Sequence, residues 1–270
     1  MSMTLSRKKI AIFLVMVATS LSMISCGNKE SGDASLATVI DKGELVLGLD
    51  ENYPPMGFRD TDGVIKGFDI DCAEEVCKRL GIRLNATPIE WDEKELDLNE
   101  GRIDCIWNGM SVNAARKESM NLSEPYIKND LVFAVLKNSG IKSCEDLAGL
   151  AVGVQTGSSA ADAIAGSDSI GDISIISAQD NVELVTMLED GTVSAICLDS
   201  IFAYYYISEN NKDYFILPDV LAGEDMAIGF RKGDDTLRDK VQSVLSEMKS
   251  DGTLCAISDK WFGADVTTVK

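Results

Sequence analysis

The residue types best suited to hold a small charged molecule lie in residues 101–126, GRIDCIWNGMSVNAARKESMNLSEPY. An apolar stretch, 103–107, reads as a buried strand. It runs into the polar turn Asn108-Gly109-Met110-Ser111 and then a short helical turn ending near Arg116. Arginine offers a planar fork of donors that matches a carboxylate, and glycine lets backbone approach a ligand closely. In a helix-covered sheet, ligands gather at the carboxyl ends of the strands, where this turn falls. The same residues also describe a plain strand–turn–helix connection with a solvated arginine, and here both readings stand. Two further strand ends are comparable. Gln155-Thr156-Gly157-Ser158-Ser159 follow the apolar run 151–154 and open a helix over 160–165. Hydroxyls and N–H groups at a helix N-terminus favour an anion, although an ordinary N-cap has the same composition. Asp199 ends the apolar run 194–198 and precedes a helix over 200–207, so it either caps that helix or accepts an ammonium group.

Composition removes many chemistries. The chain has no histidine among its 270 residues, which excludes Ser-His-Asp triads, Cys-His dyads and histidine metal sites. Arg7-Lys8-Lys9, an apolar run over 10–24 and Ser25-Cys26-Gly27 describe an export signal, too short for the roughly 20 residues of a spanning helix. A cysteine directly after the small residue resembles a bacterial lipoprotein signal, which makes Cys26 the lipid-bearing first residue. Residues 28–35 read as a flexible leash. Leaving out the three basic residues of the signal leaves 22 basic against 44 acidic residues, a net charge of −22. Such a surface repels nucleic acid and anionic lipid and favours cationic or zwitterionic ligands. Six cysteines remain (Cys72, Cys77, Cys105, Cys144, Cys197, Cys255), with no CxxC pair that would suggest zinc or a redox motif. Cys105 and Cys197 sit in apolar runs, where a thiol acts as a small hydrophobe, and reduced thiols are expected.

The elements that must position the polar residues alternate between strand and helix patterns, which argues for α/β. Strands are expected over 44–50, 83–89, 131–136, 151–154, 172–176, 194–198 and 226–230. Helices are expected from Phe68 to a stop at Gly81, within 91–99, and over 160–165, 181–188, 200–207, 236–248 and 256–262. The strand at 44–50 ends in Asp50-Glu51-Asn52-Tyr53-Pro54-Pro55, whose prolines break regular structure. The tail, 263–270, carries no signal.

Taken together, ordered blocks across 44–262 resemble the extracellular solute-binding proteins of ABC importers, polar amino acid family. The blocks are Tyr53-Pro54-Pro55-Met56-Gly57-Phe58, Gly67-Phe68-Asp69-Ile70-Asp71, Gly101-Arg102-Ile103-Asp104, the 109–116 turn, Ser123-Glu124-Pro125-Tyr126, 153–158 and Ile228-Gly229-Phe230-Arg231-Lys232. The resemblance implies two α/β lobes joined by two crossing strands and closing on ligand. One lobe is expected over 36–128 and 224–270, the other over 129–223. It further implies that Arg116 and Ser111 hold a ligand α-carboxylate with help from backbone at Gly109 and Ser158. Asp199 and groups near Asn108 would hold the α-ammonium. Asp50 and Tyr53 would meet the side chain, with Trp91, Met110 and Thr156 alongside. The expected partners are a free polar amino acid, cationic or amide in its side chain, and the membrane subunits of an importer. A monomer anchored outside the cytoplasmic membrane by lipid is expected, with no cofactor, metal or nucleic acid. A cyclohexadienyl dehydratase-like enzyme on the same scaffold and a ligand-sensing module are the alternatives. Trp107 is expected to pack in the core.

Overall fold

A computed structural model describes residues 32–167, 170–210 and 213–270; the export signal, Cys26 and the leash up to Ser31 lie outside the described residues. Order begins earlier than the leash suggests, because Asp33 Oδ1 accepts the Ser35 N–H at 2.8 Å and Ser35 opens helix α1 (Ser35–Lys42). Strand β1 (Glu44–Leu49) buries Leu45, Leu47 and Leu49. A small antiparallel ribbon of β2 (Asn52–Tyr53), β3 (Gly57–Arg59) and β4 (Ile65–Lys66) follows. Helix α2 (Phe68–Leu80) buries Phe68, Ile70, Ala73, Val76 and Cys77 at helical spacing. It stops where Gly81 takes the left-handed conformation at φ 73°.

After β5 (Arg83–Pro88), a 3₁₀ turn (Trp91–Glu93) leads into α3 (Lys94–Asn99). The strand expected over 103–107 narrows to β6 (Cys105–Ile106). Trp107 N–H still donates to Gly48 O at 3.3 Å, but the backbone then bends away into the polar turn. Helix α4 (Ala114–Ser119) begins near Arg116 rather than ending there. Asn113 caps it, its side chain accepting the Arg116 N–H at 2.8 Å. Next come β7 (Asn121–Leu122), β8 (Ile127–Leu136), β9 (Ala151–Gln155), α5 (Ala160–Ala165), β10 (Ser174–Ala178), α6 (Asn181–Glu189), β11 (Ala195–Asp199) and α7 (Ser200–Asn210). The single strand expected over 226–230 is two: the end of the long β12 (Tyr214–Met226), and β13 (Gly229–Phe230). Helices α8 (Asp235–Ser250) and α9 (Thr253–Phe262) complete the elements.

These build two five-stranded sheets, β5-β1-β6-β13-β7 and β10-β9-β11-β8-β12. In the first, β1 lies parallel to β5 and β6, and β13 runs antiparallel to β6 and β7. In the second, β9 lies parallel to β10 and β11, while β8 is antiparallel to β11 and β12. Phe68, Trp107 and Phe230 are buried against the first sheet; Phe133, Leu147 and Val154 are buried in the second. Strands β8 and β12 pair from Ile127↔Met226 to Leu136↔Tyr214, so the chain enters and leaves the second sheet side by side. This is the two-lobed α/β arrangement joined by crossing strands. The tail is not featureless: Thr267 bridges to Ile127, and Val269 is buried. All six described cysteines are free. No helix among the described residues is long and apolar enough to cross a membrane.

Candidate functional site

A cleft between the two sheets collects residues from the carboxyl ends of four strands. Asp50 follows β1, Asn108 follows β6, Gln155 ends β9 and Asp199 ends β11. The cleft is also lined by Tyr53, Trp91, Gly109, Ser111, Arg116, Ser158 and Ser159. Nine of the eleven residues singled out in the sequence thus meet here. Met110 and Thr156 do not. Met110 is fully buried and packs toward the first sheet, where a Cβ on Gly229 would stand 2.8 Å from its Cε. Thr156 turns back on its own sheet, its Oγ1 donating to Ala178 O at 3.1 Å. Gln155 and Ser159 are additions. A glutamine at a strand end carries no signature, and Ser159 reads as an ordinary helix start.

Arg116 is 4% exposed, so its guanidinium gives up most of its water. Nη1 donates to Ser111 O at 2.7 Å and Nη2 to Gly157 O at 3.0 Å. Burial lowers its pKa, against the upward pull of Glu224 and Asp199. Among the described residues no carboxylate comes within ion-pair distance of it. Asp199 is pushed up to about 7, chiefly by burial, with Tyr53 lowering and the Glu224 charge raising it. Asn129 Nδ2 donates to one of its oxygens. Tyr53 stacks on Phe202 with centroids 6.0 Å apart. Its hydroxyl lies close enough to Asp199 to perturb both groups, yet makes no hydrogen bond of normal geometry. Glu224 accepts from Ser111 Oγ at 2.6 Å.

At the other end, Asp50 is pushed up to about 6, chiefly by burial and further by the charges of Asp180 and Glu90. Its oxygens accept from Asn52 N–H at 2.8 Å and Gln155 Nε2 at 2.7 Å. Gln155 Oε1 in turn accepts from Asn181 Nδ2 at 3.1 Å. Asn108 accepts the Asp50 N–H at 3.0 Å, and its own buried Nδ2 has no partner. A buried donor left unpaired in a cleft is a cost that a ligand acceptor relieves.

Behind the turn, the buried Asp69 carboxylate takes the Gly109 N–H at 2.7 Å and the Tyr126 hydroxyl at 2.9 Å. Gly109 N–H is therefore committed to Asp69, and Ser158 N–H donates to Gln155 O at 3.2 Å. Neither is left for a ligand carboxylate, contrary to the expected backbone help. Trp107 is fully buried edge-on to Tyr126, with centroids 6.3 Å apart, and packs in the core. Across the cleft, Asn52 Nδ2 donates to Asp180 Oδ2 at 2.8 Å and Lys94 Nζ to Gly157 O at 3.0 Å. The two lobes are closed on each other.

The cystine-binding protein TcyJ of Escherichia coli K12 is 31% identical to this chain over 234 residues, 86% of this chain and 87% of TcyJ. The structure of Tv2483 bound to L-arginine superposes with a TM-score of 0.85 at 32% identity, covering 88% of this chain and 98% of that one. A Streptococcus pneumoniae ABC uptake transporter substrate-binding protein with bound histidine gives 0.82 at 35% identity, covering 88% and 99%. Residues 45–264 match the bacterial extracellular solute-binding proteins, family 3, and the chain belongs to that family.

Proposed function

We propose that this chain captures a free amino acid with a cationic side chain, closes on it, and presents it to the membrane subunits of an ABC importer. Residues 36–128 with 224–270 form one moving lobe and 129–223 the other, and the protein works as a monomer outside the cytoplasm, anchored through lipid on Cys26. One observation carries the reading: a buried arginine whose fork, among the described residues, is held on backbone carbonyls faces the same cleft as the half-buried Asp199 carboxylate, raised to about 7. An α-amino acid supplies the missing counter-charge to each. The ligand carboxylate sits on the Arg116 fork and the ammonium on Asp199, beside Tyr53. The side chain runs toward Asp50 and Gln155, against Trp91. Asp50 is buried and stands in the field of two further acids, Asp180 and Glu90, which favours a guanidinium or ammonium over an amide. Aspartate and glutamate are rejected, because a second carboxylate would be desolvated against Asp50.

A thermal-shift screen of the twenty amino acids tests this. A ligand at 100 times its Kd stabilises by about 2.7 kcal/mol, which a melting curve resolves. Arginine, lysine or histidine should give the largest rise. No rise with any amino acid, or the largest rise with an acidic one, would sink the assignment. On this reading prephenate and arogenate yield no aromatic product when incubated with the protein.

A further inference from the structure

Lys94 does not line the cleft, yet it is only 4% exposed at the start of α3. Burying an ammonium is costly unless it is well bonded, and an apolar side chain would fill this position more cheaply. Its Nζ donates to two backbone carbonyls. One is Trp91 O at 2.9 Å, within its own segment. The other is Gly157 O at 3.0 Å, in the turn that follows β9 of the second sheet. The ammonium also stands 4.9 Å from the centroid of the Trp91 ring, the ring that walls the cleft. Gly157 O takes its second bond from Arg116 Nη2. The turn itself is pressed onto the segment before Lys94: a Cβ on Gly157 would stand 2.9 Å from Asp92 Cα. The Trp91 bond survives when the lobes part; the Gly157 bond cannot.

We propose that Lys94 is a positioning residue for ligand capture. It pins the Gly157 turn of the second lobe over Arg116 in the closed state and so slows ligand release. The inference rests on the reading of the cleft as an amino acid site. It assigns Lys94 no contact with the ligand; its effect passes through the shared Gly157 carbonyl.

The test uses the full chain, L-arginine as the probe, and Lys94→Met beside Lys94→Arg. A hydrogen bond from a charged donor accounts for about a 10- to 100-fold change in affinity. Lys94→Met should raise Kd by that factor through faster dissociation, with the association rate within about twofold and the ligand-free Tm not lowered. Lys94→Arg, which keeps charge and reach, should recover most of the loss. An unchanged dissociation rate in Lys94→Met overturns the proposal. So does a loss accompanied by a lower ligand-free Tm and not rescued by Lys94→Arg. If the wild-type protein fails to bind L-arginine, the ligand assignment fails separately, and small-angle scattering of the ligand-free proteins decides on Lys94. There Lys94→Met must give the larger radius of gyration; superimposable curves overturn the proposal.

Discussion

Replacing Asp199 with asparagine should change stability and binding in opposite directions. The carboxyl is raised from 3.8 to about 7, chiefly by burial at the end of β11. At about 1.4 kcal/mol per pKa unit, that shift is an upper bound of roughly 4 kcal/mol against the ionised form; partial contact with the cleft screens it to about 1–3 kcal/mol. The sign follows from linkage. A raised pKa means that the folded, ligand-free protein binds this proton more tightly than the unfolded chain. Stability is therefore full below about pH 4 and falls as the pH climbs through 7. Asparagine has the same shape and removes the penalty, so at pH 8 ligand-free Asp199→Asn should melt roughly 2–10 °C above wild type. At pH 4 that advantage should vanish. The same change strips the counter-charge from a desolvated ligand ammonium, a loss of about 3–5 kcal/mol, or roughly 100- to several-thousand-fold in Kd. Calorimetric melts at both pH values and titration with the best ligand of the amino acid screen give the two readings. A lower ligand-free Tm at pH 8, with Kd within threefold of wild type, would refute the electrostatic account of the cleft.

Affinity for a cationic amino acid should rise as the pH climbs from 5 to 8. Asp50 and Asp199, at about 6 and about 7, are partly protonated near neutral pH and must ionise to meet the ligand. Titrations in buffers of different ionisation enthalpy should show protons released near neutral pH, and a flat profile would mean that both are already ionised. Gly157→Ala should weaken binding by about 5- to 150-fold, corresponding to about 1–3 kcal/mol of overpacking. The new methyl would meet the Asp92 backbone only when the lobes close, whereas strain at φ 72° burdens open and closed states alike. Equal losses of ligand-free stability and of affinity would place the effect in that strain instead.

The residues that the sequence makes visible are those whose role is fixed by local chemistry. Helix α2 runs from Phe68 to its Gly81 stop because apolar spacing and a left-handed glycine are both local signals. Asp199 stands out as a charge at the end of an apolar run, and Arg116 as the first arginine after the polar turn that follows another. Long β12 is obscured by Pro218 and Gly223, which usually punctuate chains. The strand accommodates that irregular stretch by shifting register between Ile216 and Val220 and again before Ala222. Lys94 is invisible for another reason: a lysine in a six-residue helix reads as solvated, and the Gly157 carbonyl that helps to bury it lies more than sixty residues further on. Gly109 shows the converse error. The sequence suggests a backbone donor facing a ligand, but Asp69, forty residues earlier, has taken that N–H from behind.

The crossing of β8 and β12 also sets when each sheet can be completed. Every strand of the second sheet lies within residues 127–226, so that sheet closes on its own contiguous stretch of chain. In the first sheet, Cys105 and Ile106 must await Phe230 and Gly229, more than a hundred residues further on. A chain emerging amino end first therefore finishes the inserted half before the half that encloses it, with the longer loop closure left to the end. Until then one edge of the first sheet is bare. At two residues, β6 is too short to template pairing with another molecule, so the waiting half presents little risk of aggregation along that edge.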